Sequence, residues 1–216
     1  MQKYKIGIVG LGGIGGLLAV LFKNKKYNVS SSKSYYKKNI ILNLESNFYG
    51  KLSAKLNIKR RLKDSKIIFI CSKFQFLDQH LKKIENTKAL VIPLLNGISH
   101  FEILKKKFGK KLFIANIGKV VSKKNSTNQI IHMSSNAPEV LISSHKKNKK
   151  EIQILKKLFN EINIKVKFKL KSSDVIWSKL IRLSSISAIT ALYNCNLGKI
   201  RNSKKKMYQL NALIKE

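Results

Sequence analysis

The chain has 216 residues, of which 44% are hydrophobic, so its length and composition predict a folded protein with a sizeable core. Lysine and arginine number 45 against 10 acidic residues, a formal net charge of +35, but the lysines are spread along the whole chain, so we expect weak, non-specific polyanion binding and no specific nucleic-acid site. The 2 cysteines, Cys71 and Cys195, exclude a disulfide framework and a paired-cysteine metal site, and we expect a reducing, cytoplasmic compartment.

The first predicted elements are an apolar strand, a glycine-rich turn and an apolar helix within residues 4–22. The turn contains Gly10, Gly12 and Gly15 in the spacing G-x-G-x-x-G, which is typical of dinucleotide-binding folds when a strand precedes it and a helix follows. Gly10 permits the tight turn, Gly12 lets a pyrophosphate approach the backbone, and Gly15 lets the helix lie close to the sheet. The residues that we predict to contact the cofactor here are Gly10, Leu11, Gly12, Gly13, Ile14 and Gly15.

The same stretch has two alternative interpretations, a signal peptide and a membrane helix, because residues 6–22 carry no charge. Six of these 17 residues are glycine, which is unfavourable in an isolated helix, and a lysine-rich segment follows where a cleavage site would be expected. We therefore favour the dinucleotide site and expect no membrane span.

The next elements alternate between strands and helices. Buried strands are expected because several apolar runs are nearly continuous, as in parallel sheets that are covered on both faces. Strands are predicted at residues 27–33, 40–44, 66–71 and 89–95, and helices at 76–84 and 101–108. This order predicts an α/β protein with a Rossmann-like, doubly wound sheet.

The remainder of the chain changes character. Short strands at residues 112–121, 129–133 and 139–143 are interpreted as meander strands appended to the sheet, before a helix at 149–162 and a half-exposed strand at 164–170. Helices are predicted at 174–193 and from 203 onward, the last of them without a C-terminal cap. We predict a Rossmann-like, NADP-binding domain over residues 1–170 and the beginning of a truncated all-helical domain over 171–216.

The coenzyme preference is predicted from the end of the second strand. NAD-specific folds place an acidic residue there to bind the ribose 2′-hydroxyl, but residues 1–44 contain no aspartate or glutamate. Serine hydroxyls and Lys33 would instead accept a 2′-phosphate, although Lys33 could also be one more surface lysine. The predicted cofactor is NADP(H).

Three further segments, taken with the glycine turn, resemble the ketopantoate reductase (2-dehydropantoate 2-reductase) family over essentially the whole chain. The strand at residues 67–73 ends in Lys73, and the segment Leu94-Leu95-Asn96-Gly97 is similar to the family's L-x-N-G loop. The segment from Trp177 to Leu180 is similar to the W-x-K-L helix that opens the family's helical domain. The order and spacing of these motifs carry the resemblance.

The resemblance implies roles for three polar residues. Lys179 would match the catalytic lysine, which contacts the substrate and protonates the ketone oxygen as hydride arrives, and an ordinary lysine pKa of about 10.4 would keep this proton bound at neutral pH. Lys73 would bind the cofactor at the carboxyl end of its strand. Asn96 would contact both cofactor and substrate.

The chain also departs from the family pattern. An asparagine that the family carries four residues after the catalytic lysine is Leu183 here, and the later Asn-Pro pair is Ser187-Ala188. The glutamine that follows the strand lysine is displaced to Gln75. The family continues beyond the equivalent of residue 216 with further helices, which carry a substrate-binding serine and a carboxylate.

The resemblance implies an NADPH-dependent oxidoreductase that reduces 2-dehydropantoate, a small 2-keto acid, to pantoate in pantothenate biosynthesis, and a homodimer is expected to cover apolar helical faces. One alternative is a catalytically inactive nucleotide-binding remnant or fragment of such a reductase, and another is a basic nucleic-acid-binding protein. No metal is expected, because the four histidines show no ligand spacing: His80, His100, His132 and His145.

Overall fold

The structure is a computed structural model that describes residues 4–32, 38–85, 87–144 and 149–216. The strands in these ranges are β1 (Lys5–Val9), β2 (Asn28–Ser32), β3 (Asn39–Ser46), β4 (Gly50–Lys59), β5 (Ile67–Ile70), β6 (Leu90–Pro93), β7 (Ala115–Gly118), β8 (Ser122–Lys124), β9 (Gln129–His132), β10 (Glu139–Ser143) and β11 (Lys165–Lys169). The α-helices are α1 (Gly13–Asn24), α2 (Leu77–Leu81), α3 (Ser99–Phe108), α4 (Lys149–Glu161), α5 (Ser172–Leu192), α6 (Leu197–Arg201) and α7 (Lys204–Lys215).

The main sheet has eight strands in the order β6-β5-β1-β2-β4-β3-β9-β8. β1 is parallel to both of its neighbours, so that Ile8 pairs with Ser31 on one side and with Phe69 on the other. β2 lies on one side of β1, and β5 and β6, which come later in the chain, lie on the other side. The order in which strands are added to the sheet therefore reverses beside β1. The predicted α/β, Rossmann-like fold is confirmed, and this reversal is where open α/β sheets bind ligands.

Helix α1 packs on this sheet and is apolar on nearly every side because protein surrounds it. Residues 15–22 are all buried, and α1 contacts β3, β4, β8 and β9 in addition to β1 and β2. Ring contacts between Phe22, Tyr27 and Phe69 join the helix to the central strands. The uncharged segment at residues 6–22 therefore forms the centre of the core.

Strand β3 is longer than predicted and forms a hairpin with β4. The sequence analysis predicted a strand at residues 40–44, whereas β3 extends from Asn39 to Ser46 and pairs antiparallel with the unpredicted β4 along its whole length. The turn uses Gly50 at a φ of 72°, a conformation that glycine adopts readily. The apolar residues of β4 alternate with polar residues, and the apolar ones from Ala54 onward are buried, a period-two pattern that the sequence analysis did not use.

The prediction of meander strands over residues 112–143 is wrong in its pairing. β7 and β10 are antiparallel, and β10 is parallel to β11, in a separate three-stranded sheet. β8 and β9 form a hairpin at the far edge of the main sheet, where β9 is parallel to β3. These partners are distant in sequence, which local hydrophobic patterns do not reveal. The two sheets meet where Phe113 donates a backbone hydrogen bond to Val91.

The helices α5, α6 and α7 share a small apolar cluster centred on Ile189, Ile200 and Leu210. α5 begins at Ser172 and also contacts β7, β10 and β11. The domain division after residue 170 stays a prediction. Within the described ranges, α5 is the one helix that is long and apolar enough to cross a membrane, a test of length and composition that core helices of other proteins also pass. Lys179 and Arg182 lie near the middle of this helix.

Candidate active site

A cleft of about 690 Å³ opens at the carboxyl ends of β5, β6 and β7, beside the glycine turn that follows β1. Its size lies within the range of about 300–1,000 Å³ that is usual for small-molecule sites. Helix α5 forms the opposite wall. The polar residues and glycines that line the cleft are Gly12, Gly13, Ser72, Lys73, Asn96, Gly118, Lys119, Ser122, Lys179 and Arg182. Ile14 also lines it, whereas Leu11 is buried.

The three fingerprint glycines have different surroundings in the turn. Gly10 has a φ of +89°, and a Cβ there would lie 2.7 Å from the Ser72 nitrogen. A Cβ on Gly15 would lie 1.9 Å from the Gly10 oxygen, so any side chain would force the turn apart. A Cβ on Gly12 would meet no protein atom within 4 Å. Gly10 and Gly15 therefore build the turn, while Gly12 leaves open space beside the N-terminus of α1.

Gly13 has a structural role that the sequence analysis did not identify. A Cβ on this residue would lie 2.1 Å from the Ser122 oxygen, and the Ser122 hydroxyl donates a hydrogen bond of 3.0 Å to the Gly13 carbonyl. Strand β8 therefore packs directly against the first turn of α1. The second glycine of the Gly12-Gly13 pair was the only signal of this contact in the sequence.

Two buried serine hydroxyls lie at the carboxyl edge of the sheet. Ser31 donates a hydrogen bond of 2.7 Å to the Ile8 carbonyl, but the hydroxyls of Ser32, which ends β2, and Ser72, which follows β5, have no hydrogen-bond partner in the described part of the chain. Buried polar atoms without partners are unfavourable unless a ligand or water satisfies them. Both positions therefore fit a polar ligand. Lys33, the predicted 2′-phosphate ligand, lies outside the described residues.

Lys73 and Asn96, which follow β5 and β6, both line the cleft. Lys73 was expected at the carboxyl end of its strand, and the position of Asn96 was implied by the family resemblance. The Lys73 carbonyl accepts a 3.1 Å hydrogen bond from the backbone nitrogen of Phe76, which fixes the start of a short 3-10 helix. Asn96 precedes Gly97, whose φ of +84° turns the chain away from the sheet. Both side chains are exposed, so they are available to a ligand in the cleft.

Lys179 enters the cleft from α5. Its Nζ donates a hydrogen bond of 2.7 Å to the Ile117 carbonyl of β7. The neighbouring Asn116 side-chain amide donates to the Val175 carbonyl one turn earlier in α5, which ties the helix to the same strand. Burial, assisted by the nearby charge of Arg182, lowers the pKa of Lys179 from 10.5 to about 8. The expectation of an ordinary lysine pKa was therefore wrong, because it ignored desolvation.

The sequence analysis also missed Lys119, which lies at the rim of the cleft with an unusual φ of 54°. Its Nζ is 3.5 Å from Glu139 Oε2, and Lys167 Nζ approaches the same oxygen at 3.0 Å. The hydrogen bond from Lys167, with the charge of Lys119, lowers the pKa of Glu139. This pairing joins the three strands of the smaller sheet immediately behind the cleft.

The described histidines do not contribute to this cleft. His100 is fully buried with neither ring nitrogen hydrogen-bonded, and burial lowers its pKa to about 4. His132 Nδ1 lies 2.8 Å from the Ser46 hydroxyl at the other end of the sheet. In the ranges that the structure describes, no group of three or more His, Cys, Asp or Glu residues could hold a metal ion. His145 lies outside those ranges.

Comparison with known proteins gives a family match over residues 6–143, to the sequence model described as ketopantoate reductase PanE/ApbA. A curated relative, the uncharacterized oxidoreductase YkpB of Bacillus subtilis, is 22% identical over an alignment length of 223 residues, gaps included, and the alignment covers 98% of this chain and 73% of the relative.

Solved structures share the fold at low sequence identity. A 2-dehydropantoate 2-reductase from Geobacter metallireducens has a TM-score of 0.82 at 15% identity, and the superposition covers 97% of this chain and 72% of the reductase chain. A ternary structure of D-mandelate dehydrogenase with NADH and anilino(oxo)acetate has a TM-score of 0.81 at 18% identity, with coverages of 95% and 70%. A dimeric ketopantoate reductase from Staphylococcus aureus has a TM-score of 0.74 at 16% identity, with coverages of 97% and 76%.

Proposed function

This chain belongs to the ketopantoate reductase PanE/ApbA family, and on that premise we propose that it reduces 2-dehydropantoate to pantoate with NADPH. The family is named for a ketopantoate reductase, and the curated relative is described as an oxidoreductase. The structural neighbour D-mandelate dehydrogenase was solved with NADH, which supports a nicotinamide nucleotide as the coenzyme of this chain. The observation that carries the proposal is the position of Lys179, whose ammonium lies in the same cleft as the open face of Gly12. Under this proposal, Lys179 would donate a proton from one wall of the cleft to a substrate beside a coenzyme that is bound at the glycine turn on the other wall.

The residues around the turn fit a dinucleotide. The open space at Gly12 lies beside the first backbone N–H groups of α1, which carry a partial positive charge and favour a pyrophosphate. Ser72, whose hydroxyl has no hydrogen-bond partner among the described residues, and Lys73 both line the cleft and would add polar contacts. Asn96 would orient the nicotinamide end and the substrate.

The chemistry divides between the coenzyme and Lys179. When bound, the nicotinamide supplies the hydride that adds to the ketone carbon of the substrate. The ketone oxygen then gains negative charge, which the Lys179 ammonium stabilises and finally neutralises by donating its proton. The Ile117 carbonyl holds this ammonium in place before the transfer. A pKa of about 8 leaves Lys179 mostly charged at neutral pH and makes it a stronger acid than an ordinary lysine.

The proposal is tested by following NADPH oxidation in the presence of 2-dehydropantoate, with NADPH binding measured separately by calorimetry. We expect saturable turnover, and light scattering on the same sample tests the further proposal that the protein is a homodimer. Binding of NADPH without turnover of any 2-oxo acid would favour the inactive nucleotide-binding alternative. Absence of binding by both NADPH and NADH would contradict the proposed cofactor.

A preference for NADPH over NADH is proposed from the absence of an acidic residue in residues 1–44. The Lys33→Met variant is expected to weaken NADPH binding by about tenfold, equivalent to about 1.4 kcal/mol, because one charge-assisted contact to the 2′-phosphate is removed. NADH binding should change little, since NADH has no 2′-phosphate. Calorimetric titration of both coenzymes measures this, with Lys51→Met on the exposed hairpin strand β4 as the control. An equal loss for both coenzymes would contradict the assignment of Lys33.

A further inference from the structure

Arg182 is the second cation that α5 contributes to the cleft. It follows Lys179 by three residues and therefore lies on the same face of the helix, where side chains at this spacing are neighbours. Leu183 and Ile186 continue the same wall with apolar side chains. The helix thus presents two adjacent positive charges, followed by an apolar surface, to whatever occupies the cleft.

The guanidinium of Arg182 is available to a ligand. Its Nε donates a hydrogen bond of 3.0 Å to the Ser178 carbonyl, one turn earlier in the helix, and the side chain is exposed. In the described ranges no Asp or Glu carboxylate forms an ion pair with Arg182. The intrahelical bond orients the group and leaves its two terminal nitrogens for a partner outside the helix.

The other cations at the cleft are less suited to a substrate anion. Lys119 Nζ lies 3.5 Å from Glu139 Oε2, an oxygen that it shares with Lys167, so its charge is offset in part. Lys73 lies after β5, on the wall formed by the sheet and the glycine turn. Arg182 alone shares a helix face with Lys179, and its planar group can form two parallel hydrogen bonds to a carboxylate, which an ammonium cannot.

We propose that Arg182 binds the carboxylate of the 2-oxo acid while Lys179 contacts the adjacent ketone oxygen. This inference rests on the proposed function and names the group that recognises its substrate class. In a 2-oxo acid the carboxylate carbon is bonded directly to the ketone carbon, so both oxygen groups must meet cations that are close neighbours. The pair on α5 supplies such neighbours, and it selects anionic ketones over neutral ones.

The charges on α5 fit this arrangement. Two cations on neighbouring positions repel each other, and this repulsion contributes to the low pKa of Lys179. A carboxylate bound at Arg182 offsets the repulsion and favours the charged form of Lys179. Substrate binding therefore keeps Lys179 protonated until the proton is transferred to the ketone oxygen.

The test compares wild-type protein and Arg182→Met with 2-dehydropantoate and with its lactone, which keeps the ketone but has no free carboxylate. For Arg182→Met we expect the KM for 2-dehydropantoate to rise by roughly 10- to 100-fold, as for loss of a charge-assisted hydrogen bond, and the KM for the lactone to change by less than about threefold. Arg182→Lys should recover only part of the loss. Arg201→Met, in α6 and outside the cleft lining, is the matched control.

Equal losses for the acid and the lactone would overturn the proposal, and so would weakened NADPH binding in Arg182→Met. If the wild-type protein reduces other 2-oxo acids but not 2-dehydropantoate, the proposed substrate is wrong, and the same comparison is made with those acids and their amides. If it reduces none, calorimetry with 2-dehydropantoate and the NADP⁺ complex replaces kinetics. A weaker Kd in Arg182→Met then supports the carboxylate contact, whereas an unchanged Kd or no binding by the wild type overturns it.

Discussion

Lys179→Met is expected to lower kcat for ketone reduction by about 10²- to 10⁴-fold, the usual contribution of a positioned general acid. Methionine retains much of the apolar stem but cannot donate a proton or stabilise a developing alkoxide. NADPH binding should remain within about twofold of the wild type, because the predicted coenzyme contacts lie on the opposite wall of the cleft. Steady-state kinetics and calorimetry measure the two effects, with the exposed Lys199→Met on α6 as the control.

The same residue predicts the direction of the pH dependence. A general acid must be protonated, so kcat/KM should be constant below the pKa of Lys179 in the free protein, about 8, and should fall as the pH rises through it. Lys179→Arg keeps a positive charge but does not release its proton, so we expect low activity without this decline. Wild-type kcat in Lys179→Met, or a wild-type rate that increases from pH 7 to pH 9, would contradict the assignment.

Gly12→Val is expected to weaken NADPH binding by at least about tenfold while leaving the melting temperature nearly unchanged. A side chain at Gly12 meets no protein atom within 4 Å, so the fold should accept it, yet it would fill the space beside the N-terminus of α1. Gly15→Ala should behave differently, because its Cβ would lie 1.9 Å from the Gly10 oxygen. For that variant we expect a loss of stability of roughly 1–3 kcal/mol together with loss of binding.

This pair of variants distinguishes an effect on coenzyme binding alone, at Gly12, from an effect on the stability of the fold, at Gly15. Thermal unfolding measures stability, and coenzyme titration measures binding, on the same two proteins. If Gly12→Val binds NADPH as the wild type does, the coenzyme does not approach the backbone at this turn. If Gly15→Ala is as stable as the wild type, the close contact with Gly10 is not maintained in solution.

The glycine turn could be predicted from the sequence because all of its determinants are local. A strand, three spaced glycines and an apolar helix follow one another, and the backbone geometry of Gly10 and Gly15 agrees with the expected need for residues without side chains. Lys73 could be placed at the cleft for a similar reason, since it follows a buried parallel strand whose carboxyl end lies at the ligand-binding edge of the sheet. Asn96 was assigned to the site through the family resemblance.

Lys179 could be singled out only by family resemblance, because its environment is not local. Its hydrogen-bond acceptor, Ile117, and the amide of Asn116 that ties its helix in place come from a strand about sixty residues earlier. The lowered pKa depends on that burial and could not be read from the motif. Arg182 was missed because the sequence pattern does not distinguish it from the other basic residues, and lysine and arginine together number 45 in this chain.

The acceptor for the Lys179 ammonium is a main-chain carbonyl, and this has a genetic consequence. Ile117 lies in the ladder between β7 and β10, where its carbonyl position is set by strand pairing and does not depend on side-chain identity. A codon change at this site alters packing but cannot delete the oxygen. In a saturation library screened for activity, variants with other branched apolar residues at position 117 should remain active. At position 179 we expect every substitution to lower activity strongly, although the two residues form a single hydrogen bond.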